Sequence, residues 1–156
     1  MTDISVRATT EADLPALFEI QADADGQFMA AFTDTANDRE KYLRKYRDLL
    51  ADDSVTNRVI IVDDAVVGSV ASFVMDGETE VTYWIRREFW GRGIATKALA
   101  ALLAELPVRP VFARAAHDNA GSVRVLERNG FVRIGEEESF AQARHRDIKE
   151  VIFQLS

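Results

Sequence analysis

No cysteine occurs in this chain. That excludes disulfides, thiolate nucleophiles and cysteine-bound zinc together, and no metal site is expected. Long apolar runs are missing too. Nothing approaches the roughly 20 apolar residues that cross a bilayer as a helix, so neither a transmembrane segment nor a membrane partner is expected. Met1-Thr2-Asp3 is not the basic opening of a signal peptide and no apolar segment follows it. With no cysteine to oxidise, these absences point to a cytoplasmic protein. Positive charge is the other shortage: 19 Lys and Arg stand against 26 Asp and Glu, a net charge of −7. Phosphate-backbone binding needs a basic footprint, so a nucleic-acid partner is not expected. An acidic surface favours cationic or amine partners, although solubility alone would also explain it.

The chain has 156 residues, which predicts one domain over residues 1–156. A chain of this size buries roughly 70% of its unfolded surface and needs no staples. Its most ordered stretch runs from Glu80 to Leu106. Val81, Tyr83 and Ile85 alternate with Thr82, Trp84 and Arg86, which predicts a strand. Ala95, Ala98, Leu99, Leu102, Leu103 and Leu106 recur at helical spacing and predict an amphipathic helix. Between them lies Gly91-Arg92-Gly93-Ile94-Ala95. The first turn of a helix leaves N–H groups without partners, and the helix dipole adds partial positive charge there. Glycines remove the side chains that would keep a ligand off those donors. A phosphate could sit on this backbone, with Arg92 and Lys97 close in sequence; a plain strand-to-helix turn would use the same glycines. The run is not a P-loop, which needs Gly-Lys-Ser/Thr after four residues. It is not a dinucleotide fingerprint either, because Thr96 stands where the third Gly belongs.

Before that stretch, Ile4, Val6 and Ala8 alternate as a strand. Thr10 and Asp13 have capping-box spacing ahead of a helix carrying Leu14, Leu17, Phe18 and Ala22, with Pro15 in its first turn. Asp23-Ala24-Asp25-Gly26 is not a calcium loop: the sixth and twelfth positions hold Phe28 and Asp34 instead of Gly and Glu. Phe28, Met29 and Phe32 form an apolar cluster, either a core contact or one wall of a cleft. Asp38 caps a helix through Tyr42, Leu43, Tyr46, Leu49 and Leu50. Val59 to Val62 and Val66 to Val74 read as a hairpin about Asp63-Asp64, and Asp76-Gly77 turns the chain into the Glu80 strand.

After the central helix come Pro107, Pro110 and a short strand from Val111 to Ala116. Strand, helix, strand in that order implies a parallel pair across a right-handed crossover. Asn119 caps a further helix with Val123, Leu126 and Arg128, stopped by Asn129-Gly130. Phe131 to Ile134 and Ile148 to Leu155 read as closing strands, with Glu136, Glu137 and Glu138 as a charged turn region between them.

Two motifs now stand in order: Trp90-Gly91-Arg92-Gly93-Ile94-Ala95, then Asn119-Ala120-Gly121-Ser122 followed by Leu126-Glu127-Arg128-Asn129-Gly130-Phe131. Together they resemble the acetyl-CoA site of the GNAT superfamily of N-acetyltransferases, and in particular the branch that includes ribosomal-protein N-terminal acetyltransferases. The element order fits over essentially the whole chain. The resemblance implies an α/β (α+β) fold with a mixed, mostly antiparallel central sheet of about six to seven strands and helices on both faces. It implies acetyl transfer from acetyl-CoA to a primary amine on a small molecule or a protein N-terminus. It also implies backbone pairing of Trp84, Ile85 and Arg86 with pantetheine, a pyrophosphate held by Gly91, Arg92, Gly93, Ile94, Ala95 and Thr96, and a cofactor contact from Asn119.

There are two departures. Trp90 stands where many members carry Gln or Arg. Leu126 stands where many carry a Tyr that protonates the leaving thiolate. Ser122, one helical turn earlier on the same face, is the substitute acid, or else a small residue packing under the cofactor. Direct transfer needs a path for the amine proton, donors for the oxyanion, and orientation. Glu80 is the first candidate base, unless it is an exposed strand residue. His117 is the second, unless it is a surface or capping residue. A backbone N–H near Ile85 would serve the oxyanion. His145, between Arg144 and Arg146, reads as exposed surface. A non-catalytic acyl-CoA sensor and a structural interaction protein remain as alternatives, and a homodimer is left open.

Overall fold

The computed structural model describes residues 3–156. Met1 and Thr2, which open the stretch judged not to be a signal peptide, lie outside the described residues. Seven strands form one sheet: β1 (Ile4–Ala8), β2 (Thr56–Val62), β3 (Ala65–Met75), β4 (Glu78–Ile85), β5 (Val111–Ala116), β6 (Val132–Ala141) and β7 (Arg146–Leu155). Their spatial order is β1-β2-β3-β4-β5-β7-β6. Every neighbouring pair is antiparallel except β4 with β5. Five helices complete the fold: α1 (Leu14–Gln21), α2 (Ala24–Ala30), α3 (Arg39–Leu50), α4 (Ile94–Glu105) and α5 (Ala120–Arg128). This is the mixed, mostly antiparallel sheet that the sequence led us to expect.

Two apolar clusters cover the two faces. Val59 and Ile60 are neighbours on β2 but enter different clusters, as strand alternation requires. Ile60 joins Ile94, Leu99, Leu102 and Leu126 under α4 and α5. Val59 joins Leu14, Leu17 and Ile20 of α1, with Tyr42, Leu43 and Tyr46 of α3 packed against them. Helices therefore lie on both faces. None among the described residues is long and apolar enough to cross a membrane.

Local signals explain the element ends. Asp13 accepts from the Thr10 backbone N–H at 2.8 Å, Asp38 accepts from the Lys41 N–H at 3.1 Å, and Asn119 accepts from the Ser122 N–H at 3.1 Å. The hairpin turns Asp63-Asp64 and Asp76-Gly77 all have positive φ, the conformation that a two-residue turn between twisted strands demands.

One expectation needs correction. Glu136, Glu137 and Glu138 are not a turn; they lie within β6, paired with Val151, Glu150 and Lys149 of β7. Lys149 lies 4.0 Å from Glu136 and Arg114 lies 2.9 Å from Glu137, so cations offset the acidic run and let the strand continue. A bulge between Arg133 and Gly135 absorbs the extra residue. The segment after Asp23, for which the sequence suggested no element, forms the short helix α2, with the Asp23 side chain accepting from the Gly26 N–H at 2.9 Å.

The feature that makes a site is the parting of β4 from β5. Only Thr79 with Val111 and Glu80 with Phe112 are paired. Beyond Glu80, β4 stays paired to β3 as far as Ile85, while β5 turns away beside β7.

Candidate active site

The wedge between β4 and β5 is a cavity of about 630 Å³. Its walls come from both faces of the sheet. On one side are α5 and the start of α4; on the other are Met29, Ala30 and Phe32 at the end of α2. Along β4, Val81, Tyr83 and Ile85 belong with the α4–α5 cluster. Strand alternation then sends Glu80, Thr82 and Trp84 to the opposite face, where Trp84 packs with the α1–α3 cluster. The cleft is thus a passage through the sheet with two chemically different ends.

The α4 end is built for an anion. Gly91 and Gly93 both have φ of 74°, and a Cβ added to either would meet nothing within 4 Å. The glycines serve the backbone conformation and leave open space. Among the described residues, the backbone N–H groups of Gly91 through Thr96 find no protein acceptor. Six such donors at a helix mouth, with its dipole behind them, form an anion nest. Trp90 fixes the loop: its indole Nε1 donates to the Ile85 carbonyl at 2.8 Å. That gives the departure at position 90 a structural role. Arg124 and Arg128, one turn apart on α5, line the same cleft.

The middle of the cleft holds a pair of hydroxyls. Tyr83 Oη lies 2.7 Å from Ser122 Oγ and donates to the Ser122 carbonyl at 3.2 Å. Burial pushes the Tyr83 phenol up to about 12, against a lowering by the bond to Ser122. It therefore stays protonated at neutral pH and can donate. Leu126, where a tyrosine is common in the resembling family, is fully buried in the α4–α5 core. The phenol that does line this cleft is that of Tyr83, on β4.

The far end is acidic. Glu80 is 8% exposed, not the exposed strand residue that was one of its two readings. Burial raises its pKa, Arg114 lowers it, and Glu78, Glu150 and Asp76 raise it further. Arg114 Nε lies 3.9 Å from Glu80, and its Nη1 donates to Glu137 at 2.9 Å and to Glu150 at 3.3 Å. One arginine is shared among three carboxylates. Met29, Phe32, Phe73 and Met75 supply apolar walls nearby.

The expected residues separate cleanly. Glu80, Trp84, Ile85, Gly91, Gly93, Ile94, Ala95, Thr96, Asn119 and Ser122 all line the cleft. Arg86 does not: its backbone N–H donates to Val67 at 2.7 Å and its side chain turns to the Val66 carbonyl. Strand alternation then directs the Trp84 backbone groups to β3 as well, and leaves those of Tyr83 and Ile85 facing the cleft. Of the three residues expected to offer their backbone to pantetheine, Trp84 and Arg86 thus face β3, and Ile85 alone faces the cleft. Arg92 stands over the Phe89 ring, 5.1 Å from its centroid, and contributes only its backbone to the loop. His117 is exposed and outside the cleft, because it follows the inward-facing Ala116. His145 is exposed as expected. Asn119 spends its amide on the Ser122 N–H and on the Met29 carbonyl, 3.2 Å away. Met29 and Phe32 take the cleft-wall reading, while Phe28 is half exposed. Sequence reasoning missed Tyr83, Arg114, Arg124 and Glu150. Only the four-residue step from Arg124 to Arg128 offered a signal.

Comparison with known proteins agrees with this geometry. The family model described as acetyltransferase (GNAT) domain matches residues 3–132. A search of curated proteins found no sequence match. Among solved structures, a ribosomal-protein-alanine N-acetyltransferase from Brucella melitensis is 26% identical with a TM-score of 0.83, the alignment covering 97% of this chain and 98% of that one. A spermidine N-acetyltransferase from Vibrio cholerae, solved with CoA and spermine, is 20% identical with a TM-score of 0.81 over 97% of this chain and 95% of its own. AAC(6')-Ib, solved with ribostamycin and coenzyme A, is 21% identical with a TM-score of 0.78 over 99% and 93%. With the family model spanning residues 3–132, most of the sequence, and the whole fold superposing on that of a ribosomal-protein-alanine N-acetyltransferase, this chain belongs to the GNAT family of acetyltransferases.

Proposed function

We propose that this enzyme transfers an acetyl group from acetyl-CoA to a primary amine through the β4–β5 passage, with the two substrates entering from opposite faces of the sheet. The observation that carries this reading is the continuity of one cleft from the open amides of Gly91 to Thr96, past the Tyr83–Ser122 pair, to Glu80. Acetyl-CoA supplies an activated acyl carbonyl and a thiol leaving group. The loop amides hold the pyrophosphate, and Arg124 and Arg128 add positive charge at that end. The cleft-facing backbone groups of Tyr83 pair with the pantetheine arm as an added strand would, while the Ile85 carbonyl is held by the Trp90 indole. The Ile85 N–H is placed to receive the developing oxyanion.

Glu80 accepts the proton of the attacking amine, directly or through water. Its burial favours the neutral acid, which makes the carboxylate a better base than an exposed glutamate. Tyr83 and Ser122 face the departing sulfur. A phenol near 12 is far weaker as an acid than a thiol near 8.5, a gap of about 5 kcal/mol. Full proton transfer to the thiolate is therefore uphill. The pair acts by donating a hydrogen bond to sulfur as charge builds there, which is electrostatic stabilisation more than acid catalysis.

The acceptor is an amine on a small molecule or a protein N-terminus. The acidic end of the passage suits a group that arrives as a cation and loses a proton there. The cysteine-free composition is compatible with a cytoplasmic enzyme, and a homodimer fits the reading equally well. The test is CoA release with an alanine-initiated peptide, spermidine and an aminoglycoside as acceptors. Turnover of at least one, abolished by Glu80→Gln with acetyl-CoA affinity intact, supports the assignment. Acetyl-CoA binding without turnover of any amine would leave the sensor alternative standing instead.

A further inference from the structure

The most buried cation outside the passage is Arg144, in the turn between β6 and β7, with only 2% of its side chain exposed. Its Nη1 and Nη2 donate to the two oxygens of Asp118 at 2.8 and 2.9 Å. Its Nε donates to the Phe28 carbonyl at 2.6 Å. Its guanidinium lies over the Phe28 ring, 4.0 Å from the centroid. None of this touches the reacting groups; the contacts tie Phe28, near the end of α2, to Asp118, in the turn between β5 and α5.

A helix leaves its last carbonyls without partners and concentrates negative charge there. Around the end of α2 the Phe28, Met29 and Ala31 carbonyls are taken by groups from two other parts of the chain. Arg144 takes Phe28, the Asn119 side chain takes Met29, and the Ala143 N–H takes Ala31 at 3.0 Å. Ala31 is fully buried with φ of 63° and ψ of −55°, a positive-φ conformation that a non-glycine residue holds only when its surroundings dictate it. The same α2 end presents Met29, Ala30 and Phe32 to the passage. Asn119 also caps α5 at Ser122. The Asp118–Asn119 corner thus joins the wall on one face to the hydroxyl pair on the other.

We propose that Arg144 is a positioning residue for the amine acceptor. It clamps the C-terminal end of α2 to the Asp118–Asn119 corner and so sets the width of the passage on the Glu80 side. This rests on the acceptor entering against α2, as proposed above. Arginine is needed for its fork, which reaches both Asp118 oxygens and the Phe28 carbonyl at once; lysine offers a single point charge.

The experiment compares wild type with Arg144→Lys and Asp118→Asn. Asp118 is 41% exposed at its side chain, so its variant folds even where the buried one does not. Steady-state KM for the acceptor, kcat, acetyl-CoA affinity by calorimetry and the thermal midpoint are measured. The acceptor is whichever of an alanine-initiated peptide, spermidine or an aminoglycoside wild type turns over fastest. The expected result is an acceptor KM raised about 10-fold, as for a displaced positioning group, with acetyl-CoA affinity unchanged. If both constants move together, or only the thermal midpoint falls, the clamp is merely structural and the proposal is overturned. An unmoved acceptor KM in a folded variant overturns it alone, leaving acetyl transfer standing. No turnover of any amine by wild type sinks the acceptor reading, and the Arg144 role with it.

Discussion

The hydroxyl of Tyr83 lies 2.7 Å from that of Ser122, across the gap between β4 and α5, and also donates to the Ser122 carbonyl at 3.2 Å. The two hydroxyls therefore form one hydrogen-bonded pair in the cleft. If both serve the leaving sulfur, Tyr83→Phe and Ser122→Ala each lower the single-turnover rate by about 10-fold or more. The double variant is then little worse than either single one, because coupled residues are not additive. Additive losses would mean independent roles. An unchanged rate in Ser122→Ala would leave that serine a packing function only.

A second expectation concerns the acidic end. Arg114 favours the Glu80 carboxylate, while Glu78, Glu150 and Asp76 and the burial itself favour the neutral acid. Glu137 holds part of the Arg114 charge. A base must be ionised to act, so kcat/KM rises with pH through the Glu80 pKa, above the ordinary carboxylate range. Arg114→Gln removes the one lowering influence and should move that acid limb to higher pH, with the high-pH plateau retained. A pH–rate profile of the variant that superimposes on wild type would show that Glu80 is not the group being titrated.

How much of this was legible beforehand follows physical lines. The strand-to-helix turn at Gly91 and the cap at Asn119 depend on residue types with narrow backbone or hydrogen-bonding uses, so they could be read directly. The extent of β6 could not. Three adjacent glutamates look like solvated turn only while Arg114 and Lys149, distant in sequence, are out of view. The same holds for α2, a seven-residue helix whose stability comes from Arg144, Asn119 and Ala143 more than from its own pattern. Tyr83 was visible only as an alternating strand residue; its partner is 39 positions away. Backbone direction along β4 was likewise hidden until the Arg86 bond to Val67 fixed which amides face the cleft.

Stability at low pH should depend on Asp13. Arg7 donates to both its oxygens at 2.8 Å, and these bonds, with the Thr10 backbone, hold the buried carboxyl down at about 2. A depressed folded value means the stabilisation is complete above the unfolded value near 3.9 and is lost as pH falls through about 2. Arg7 is half exposed, so solvent screening limits the contribution of Asp13 to about 1–2 kcal/mol. Urea unfolding of Asp13→Asn near pH 7 should show a loss of that size, shrinking toward zero by about pH 2. A gap independent of pH would assign the loss to packing and not to charge.

The last expectation sets two glycines against each other. A Cβ on Gly68 of β3 would sit 2.2 Å from the Trp84 carbonyl oxygen, a backbone atom that cannot yield without shifting β4. Gly68→Ala should therefore lower stability and, by displacing β4, weaken acetyl-CoA binding as well. Gly93 is the opposite case. Its φ of 74° costs a larger residue about 1–2 kcal/mol, but an added Cβ meets nothing within 4 Å. Gly93→Leu should fold with a modestly lowered midpoint. Its side chain would project into the anion nest and displace one charge-assisted hydrogen bond, worth about 1.5–3 kcal/mol, so acetyl-CoA affinity should fall about 10- to 100-fold. Calorimetric affinity equal to wild type in a folded Gly93→Leu protein would mean that the pyrophosphate does not rest on this loop.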